Sequence, residues 1–226
     1  MKCKIFLFRH AESKDNLRNM FSGWCNSPLA KIGFKSAEKI AKQLKNEKID
    51  YAFTTTLSRA KRTLDSVLKY HPNAVVFIDD RIRERCYGIL QDRDKALWER
   101  RHPEFHAEVH RGYWGVPPKG ESVAMTARRT MNFLRQLLRF MKTHPGNVAI
   151  SCHGNSMRPL RRHFEHLTIQ EECMLENPHD QAMIYTVDVV PSKNSHRSEP
   201  DCWKSVILPR HVKLATDKHN ILKNYY

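Results

Sequence analysis

The chain has 226 residues, 40% of them hydrophobic and 28% charged, and a formal net charge of +15. That length suits one generous domain with its own core; no apolar run approaches the roughly 18 residues of a membrane span, and the opening MKCKIFLFRH returns to charge too soon for a signal peptide. The six cysteines (3, 25, 86, 152, 173 and 202) contain no CxxC pair, so neither a disulfide framework nor a zinc ribbon is expected, and a reduced, cytoplasmic protein is the default.

In chain order, short apolar runs alternate with segments whose apolar residues recur at helical spacing. CKIFLF (3–8) reads as a buried strand, and Ala37, Ile40, Ala41 and Leu44 form a helical stripe. DYAFTTT (50–56) is a second strand, followed by a helix marked by Ala60, Leu64, Val67 and Leu68. AVVFIDD (74–80) is a third. The polar and aromatic stretch 94–118 is expected to be helical in its first part. Val123, Ala127, Leu134, Leu137, Leu138 and Met141 then predict one long helix, which HPGN stops. VAISCH (148–153) is a strand, MRPLRRHFEHL a helix and AMIYTVDVV (182–190) a last strand. Such alternation predicts a three-layer αβα sandwich around a mainly parallel sheet. One catalytic domain, 1–190, is expected. The polar, basic tail 191–226 breaks the pattern, and its WKSVIL is a candidate edge strand or lid.

Lys and Arg are spread along the chain and interleaved with acids, with no basic arm and no helix-turn-helix, zinc-finger or RNP-like signature. The charge therefore points to an anionic small molecule and away from nucleic acid. Where it would bind follows from a pattern that occurs twice. IFLFRHAES and VAISCHGNS both run from an apolar strand into a histidine, a small residue, a polar residue and a serine. In open α/β sheets the carboxyl ends of parallel strands face the ligand crevice. His10 and His153 are thus expected to meet across one pocket, with the chain turning beside each to offer backbone N–H groups. Arg9, and Arg59 in FTTTLSRAKRT, reach the same end of the sheet. Two guanidinium forks and two imidazoles suit a phosphoryl group.

RHAES, SGWCNSPL, TTLSRAKRT, RERCYGILQDRDK, PPKGES and CHGNSMR resemble, in order, the motifs of the cofactor-dependent phosphoglycerate mutases of the histidine phosphatase superfamily. The resemblance spans residues 5 to about 187. It implies that His10 is the phosphorylated nucleophile, that Arg9, Arg59 and His153 form the phosphate pocket, and that Glu84 is the general acid/base. It also implies that Asn16, Ser22, Gly23, Tyr87, Lys95, His110, Arg111, Gly154 and Asn155 contact a small phosphorylated carboxylate. By the same resemblance 2,3-bisphosphoglycerate is the primer and the protein is a monomer or small homo-oligomer; from composition and motifs no membrane or nucleic-acid partner is expected. Independently, Glu84 could deliver a proton if burial raised its pKa. No carboxylate cluster suited to magnesium is visible, so no metal is expected.

Four departures bear on substrate choice. Ala11 stands where the family motif has glycine, and its methyl is expected to crowd the phosphate. Asp92 also replaces a glycine, placing a negative charge near the pocket unless it caps a helix. His110 replaces the first of an arginine pair. The chain also runs through VPPKGES without the long insertion of many relatives. Other features get plainer readings: His102, His106 and His110 as a polar helix face before a metal site, Cys152 as a buried filler before a reactive thiol, and Arg161–Arg162 as solvated surface. Trp24, Tyr113 and Trp114 fit either pocket wall or core. The leading expectation is a mutase interconverting 3- and 2-phosphoglycerate. The alternatives are a phosphatase using the same phosphohistidine and a non-enzymatic anion-binding or nucleic-acid-binding protein.

Overall fold

Side chains alternate faces along a strand, and in β1 (Lys2–Arg9) Cys3, Ile5 and Leu7 point one way while Phe6 and Phe8 point the other. All five are buried, so this strand needs cover on both sides. The computed structural model, which describes residues 1–190, supplies it. A one-turn α1 (Lys14–Leu17) is followed by α2 (Lys31–Leu44), β2 (Tyr51–Thr54), α3 (Ser58–Leu68) and β3 (Val75–Ile78). Next come α4 (Lys95–Arg101) and α5 (Pro103–His106), which runs into a π-helical turn at Ala107–Arg111. The chain then forms α6 (Val123–Thr143), β4 (Val148–Cys152), α7 (Gly154–Glu165), α8 (Ile169–Met174) and β5 (Ala182–Asp188).

The sheet order is β3-β2-β4-β1-β5, with β5 antiparallel at one edge and the other four strands parallel. Ile40 and Leu44 of α2 and Leu64 and Val67 of α3 pack on Phe6, Phe8 and Ala52 on one face. Phe133, Leu134 and Leu137 of α6 and Met157 and Leu160 of α7 pack on Ile5, Leu7, Phe53 and Ile150 on the other. Each fully buried Phe or Leu contributes roughly 1.5–3 kcal/mol relative to exposure. The αβα sandwich is therefore as expected. β1 and β4 are neighbours, yet the chain leaves β1 towards the α2 face and β4 towards the α7 face. That divergence opens a crevice at their carboxyl ends.

Three boundaries differ from the sequence reading, each for a local reason. β2 stops at Thr54, because Thr56 turns away to bind Asp80 through both its N–H (2.8 Å) and its hydroxyl. α7 begins at Gly154, ahead of its apolar stripe, because the Ser156 hydroxyl accepts the His153 N–H (3.1 Å) and closes the first turn. α8 has no long apolar stripe to announce it and is held by a Thr168–Glu171 capping box. Arg161 and Arg162 are not the solvated surface expected. Arg161 pairs with Glu165 (2.8 Å) and Arg162 with the wholly buried Glu172 (2.8 Å). The tail 191–226, with its candidate edge strand or lid, lies outside the described residues. No helix among the described residues is long and apolar enough to cross a membrane.

Candidate active site

Arg9 pairs with Cys152 at the last rung of the β1–β4 ladder, and the His10 N–H donates to the Cys152 carbonyl (2.9 Å). This register delivers both histidines to one place, with ring centroids 5.1 Å apart. The tautomer of His10 follows from its partners. Nδ1 lies 2.8 Å from the Ala11 carbonyl, which can only accept, so Nδ1 carries the proton. Nε2 accepts from Arg59 Nε at 3.2 Å and so presents a lone pair. Burial, and then the charge of Arg59, hold His10 well below the ordinary histidine pKa. The nucleophilic form is therefore the resting form. His153, wholly buried, is lowered in the same way by burial and by Arg59, and its Nε2 is 2.9 Å from the Thr55 hydroxyl.

Arg59 enters from the first turn of α3 and donates to the carbonyls of Cys25 and Gly23, both at 2.8 Å. Gly23 can aim its carbonyl there because it holds φ +50, a left-handed conformation that costs glycine little. Burial lowers Arg59 to about 10, which leaves it charged at neutral pH. Arg9 donates to the Asn177 carbonyl (3.2 Å), and its Nε is buried without a partner among the described residues. A donor left in that state is costly unless an anion completes it.

Glu84 closes the other side. Its backbone carbonyl accepts from Trp24 Nε1 (2.7 Å) and from Arg129 Nη2 (2.8 Å), a guanidinium delivered by α6. Its Oε1 accepts from the N–H of Arg85 (2.8 Å), the N–H of Asn155 (3.1 Å) and Asn155 Nδ2 (3.0 Å). The expectation of a raised pKa is corrected here. Burial does push the carboxyl up, but the Arg85 N–H and the charges of Arg59 and Arg9 outweigh it, and the net shift is downward. Facing these cations and donors, Glu84 is a carboxylate at neutral pH. An incoming phosphate dianion neutralises the same arginines, which favours protonation of Glu84 when it is needed as an acid.

The crevice has a volume of about 220 Å³. Arg9, His10, Arg59, Glu84 and Gly154 line its deep end; Asn16, Ser22, Gly23, Tyr87, Lys95, His110 and Asn155 also line it. His153 stands behind His10. Asn16 Oδ1 is occupied by the N–H and hydroxyl of Ser13 (3.0 and 2.8 Å), which leaves the amide NH₂ as its donor for a ligand. Phe21, wholly buried, is the shared floor of the far end: Tyr87 lies 4.9 Å from it, His110 sits edge-on at 5.7 Å, and Lys95 Nζ is 5.8 Å from its centre. The Arg111 backbone follows His110 in the π-helical turn, and its side chain lies outside the described residues.

Two departures prove harmless. The Ala11 methyl packs with Leu29 and Ala37, away from the crevice, so it does not crowd a phosphate. Asp92 adopts φ +62, where glycine is favoured, and accepts from the Cys25 thiol at 3.3 Å instead of lining the crevice. Among the histidine row, His102 stacks on Trp98 (4.0 Å) and His106 Nδ1 faces Glu99 (3.4 Å). No group of three potential metal ligands occurs among the described residues. Cys152 is buried, its thiol pushed up by burial. Trp24 lies beneath the Arg83 guanidinium (3.8 Å), and neither it nor Tyr113 nor the exposed Trp114 lines the crevice.

Sequence reasoning missed Phe21, Arg158, Glu176, Asn177 and His179. All but His179 belong to the crevice or its floor. The His179 ring lies 5.6 Å from that of His10, tilted against it; its Nδ1 is 2.8 Å from the His10 carbonyl, and its pKa is lowered to about 4 by burial and by Arg9. Arg158 ended a motif already singled out, which was its only signal.

A neutral, buried imidazole whose one lone pair faces an arginine, flanked by fixed cations and a carboxyl, is an arrangement suited to phosphoryl transfer through histidine. The family pattern described as Histidine phosphatase superfamily (branch 1) matches residues 5–198, and the chain belongs to that superfamily of enzymes. It is 32% identical over 215 residues to a 2,3-bisphosphoglycerate-dependent phosphoglycerate mutase of Methanococcus vannielii, covering 81% of this chain and 90% of that protein. A Chlamydia muridarum protein of the same name is 29% identical over 208 residues, covering 80% and 92%. Among solved structures, Bacillus stearothermophilus YhfR superposes with a TM-score of 0.74 at 21% identity, covering 84% of this chain and 93% of that one. A mycobacterial glucosyl-3-phosphoglycerate phosphatase superposes with a TM-score of 0.69 at 19% identity, covering 82% and 90%. At those identities the two structures speak for the fold.

Proposed function

We propose that this protein is a phosphoglycerate mutase that interconverts 3- and 2-phosphoglycerate through a phosphohistidine at His10. One observation carries the reading: the crevice has two polar ends. Arg9, His10 and Arg59 would hold the reacting phosphoryl group at the strand ends, while Lys95, His110 and Tyr87, grouped about Phe21, and Asn16 line the same crevice and would meet a second anionic group. A phosphatase indifferent to the rest of its substrate needs only the first set.

His10 Nε2 attacks phosphorus, the P–O bond breaks, and the leaving oxygen takes a proton from Glu84. The Nδ1 proton stays on the ring, held by the Ala11 carbonyl, so the phosphorylated imidazolium keeps its orientation. Arg9 and Arg59 meet the equatorial oxygens, with neutral His153 backing His10 from behind, and meeting that charge is most of what this reaction asks of a protein. In the second half Glu84 removes the proton of the acceptor hydroxyl, and the P–N bond breaks towards that oxygen. A bisphosphate fits the donor set at both ends; when bound, 2,3-bisphosphoglycerate supplies the phosphoryl group that primes His10. The likeness to the two curated mutases supports the same reading.

The test is phosphorus NMR of 3-phosphoglycerate with the protein, with and without catalytic bisphosphate. The expected result is equilibration with 2-phosphoglycerate, accelerated by the bisphosphate. Accumulation of inorganic phosphate without 2-phosphoglycerate would show a phosphatase instead.

A further inference from the structure

Arg158 lies one helical turn after Asn155 on α7, lines the crevice and is almost wholly buried. Its Nε donates to the Leu175 carbonyl (3.0 Å), which fixes the guanidinium, and its Nη1 donates to Asn155 Oδ1 (3.2 Å). A guanidinium can only donate, so it decides which way the Asn155 amide faces. With Oδ1 turned to Arg158, the NH₂ must face the other way, where it donates to Glu84 Oε1 (3.0 Å) and to the Tyr87 hydroxyl (3.2 Å). The flipped amide would set donor against donor at Arg158 and acceptor against carboxylate at Glu84.

Two consequences follow at the reacting end. Glu84 Oε1 receives three donors, from Arg85 N–H, Asn155 N–H and Asn155 Nδ2, so it has no place for a proton. Oε2 is the oxygen near Gly154 and the Arg9 guanidinium, as the surroundings of the Gly154 α-carbon show. The Tyr87 oxygen already accepts from Asn155, which leaves its own O–H to donate into the crevice.

We propose that Arg158 is a positioning residue for proton transfer: by locking the Asn155 amide it confines the exchangeable proton to Glu84 Oε2 and turns the Tyr87 hydroxyl towards the substrate. The balance is simple. As His10 Nε2 forms its bond to phosphorus, the electron pair of the breaking P–O bond goes to the leaving oxygen. That oxygen takes the proton from Oε2, and Glu84 is left as a carboxylate. The burial that raises the Tyr87 pKa keeps that phenol protonated. The proposal rests on the phosphohistidine reading, but not on the choice between mutase and phosphatase.

A positioned acid matters in proportion to how poor the leaving group is. The experiment measures single-turnover phosphorylation of His10 by phenyl phosphate and by 2,4-dinitrophenyl phosphate, in wild type, Arg158→Met, Arg158→Lys and Asn155→Asp. Arg158→Met should slow the phenyl ester by about a hundredfold and the dinitrophenyl ester by less than about threefold. Arg158→Lys, which keeps a donor for Asn155, should restore much of the difference. Asn155→Asp leaves the Arg158–Leu175 contact in place, so it keeps the test open if Arg158→Met does not fold; it should show the same selective loss. Equal losses on both esters, or none, would overturn the proposal. A wild type that forms no phosphohistidine from either ester would overturn the reading beneath it as well.

Discussion

The two ends of the crevice are built differently. At the deep end, Arg9, His10 and His153 sit at the ends of adjacent parallel strands, and Arg59 sits in the first turn of a helix. Their positions are set by sheet register, the least adjustable feature of the fold. At the far end, Lys95 and His110 come from short helices and a π-helical turn outside the sandwich. One wholly buried guanidinium ties that turn to the segments around it. Arg85 donates to the carbonyls of Val109 (2.7 Å), Gly115 (2.9 Å) and Glu121 (2.6 Å), with a longer contact to His110 (3.4 Å). In the proposed mechanism the chemistry is therefore carried by regular structure, and the choice of substrate by irregular structure pinned by backbone contacts. Substitutions at the two ends should fail in different ways.

The largest effect is expected at the nucleophile. His10→Ala should abolish the acid-labile, base-stable phosphoenzyme and lower turnover by about 10⁴-fold or more. His153→Ala should still form it, more slowly; a stable phosphoenzyme in the His10 variant would remove His10 from its role.

The deep end also carries a cost in acid. His10, His153 and His179 all have folded pKa values below the unfolded value of about 6.5. The unfolded chain therefore binds more protons, and stability that is complete above that pH falls as pH drops through 6.5 towards about 4, the value for His179. Each histidine should contribute up to about 1.4 kcal/mol per pH unit in that window. Urea melts at pH 7, 6 and 5 should show the decline. His179→Thr should make it shallower; an unchanged slope would mean that His179 is not held neutral.

At the far end, Arg85→Lys should raise KM for the phosphoglycerate by about tenfold while the single-turnover rate of His10 phosphorylation stays within about threefold, because the loss falls on binding geometry. A fall in kcat alone would show that Arg85 acts on Glu84, its chain neighbour, and not on the turn. The smallest effect is expected from His110→Arg. It should raise the ratio of mutase to bisphosphatase turnover by about three- to tenfold, since a permanent, forked cation anchors a carboxylate more firmly than imidazole does. A variant whose ratio matches that of the wild type would show that His110 does not hold the substrate.

The same division separates what was legible in the sequence from what was not. Strand-end residues were readable because an apolar run announces where a strand stops, and RHAES and CHGNS repeat one arrangement at two such stops. Asp92 was misread as a charge problem, because residue type does not reveal a left-handed backbone. Arg85, Arg129 and Arg158 look like surface cations in the sequence. Each is instead largely buried, donating to backbone carbonyls or, for Arg158, also to Asn155, and no residue type announces such contacts. Glu176, Asn177 and His179 lie on a connecting segment without periodicity, and their contacts to Arg9 and His10 span more than 160 residues of chain.

The most direct test follows a labelled phosphoryl group. The protein is phosphorylated from radiolabelled bisphosphate, freed of excess and chased with unlabelled 3-phosphoglycerate. If His10 is the phosphoryl carrier of a mutase, the label leaves it for bisphosphoglycerate and phosphoglycerate at the rate of turnover, with little reaching water. Label appearing as inorganic phosphate, at a rate unaffected by 3-phosphoglycerate, would contradict that role.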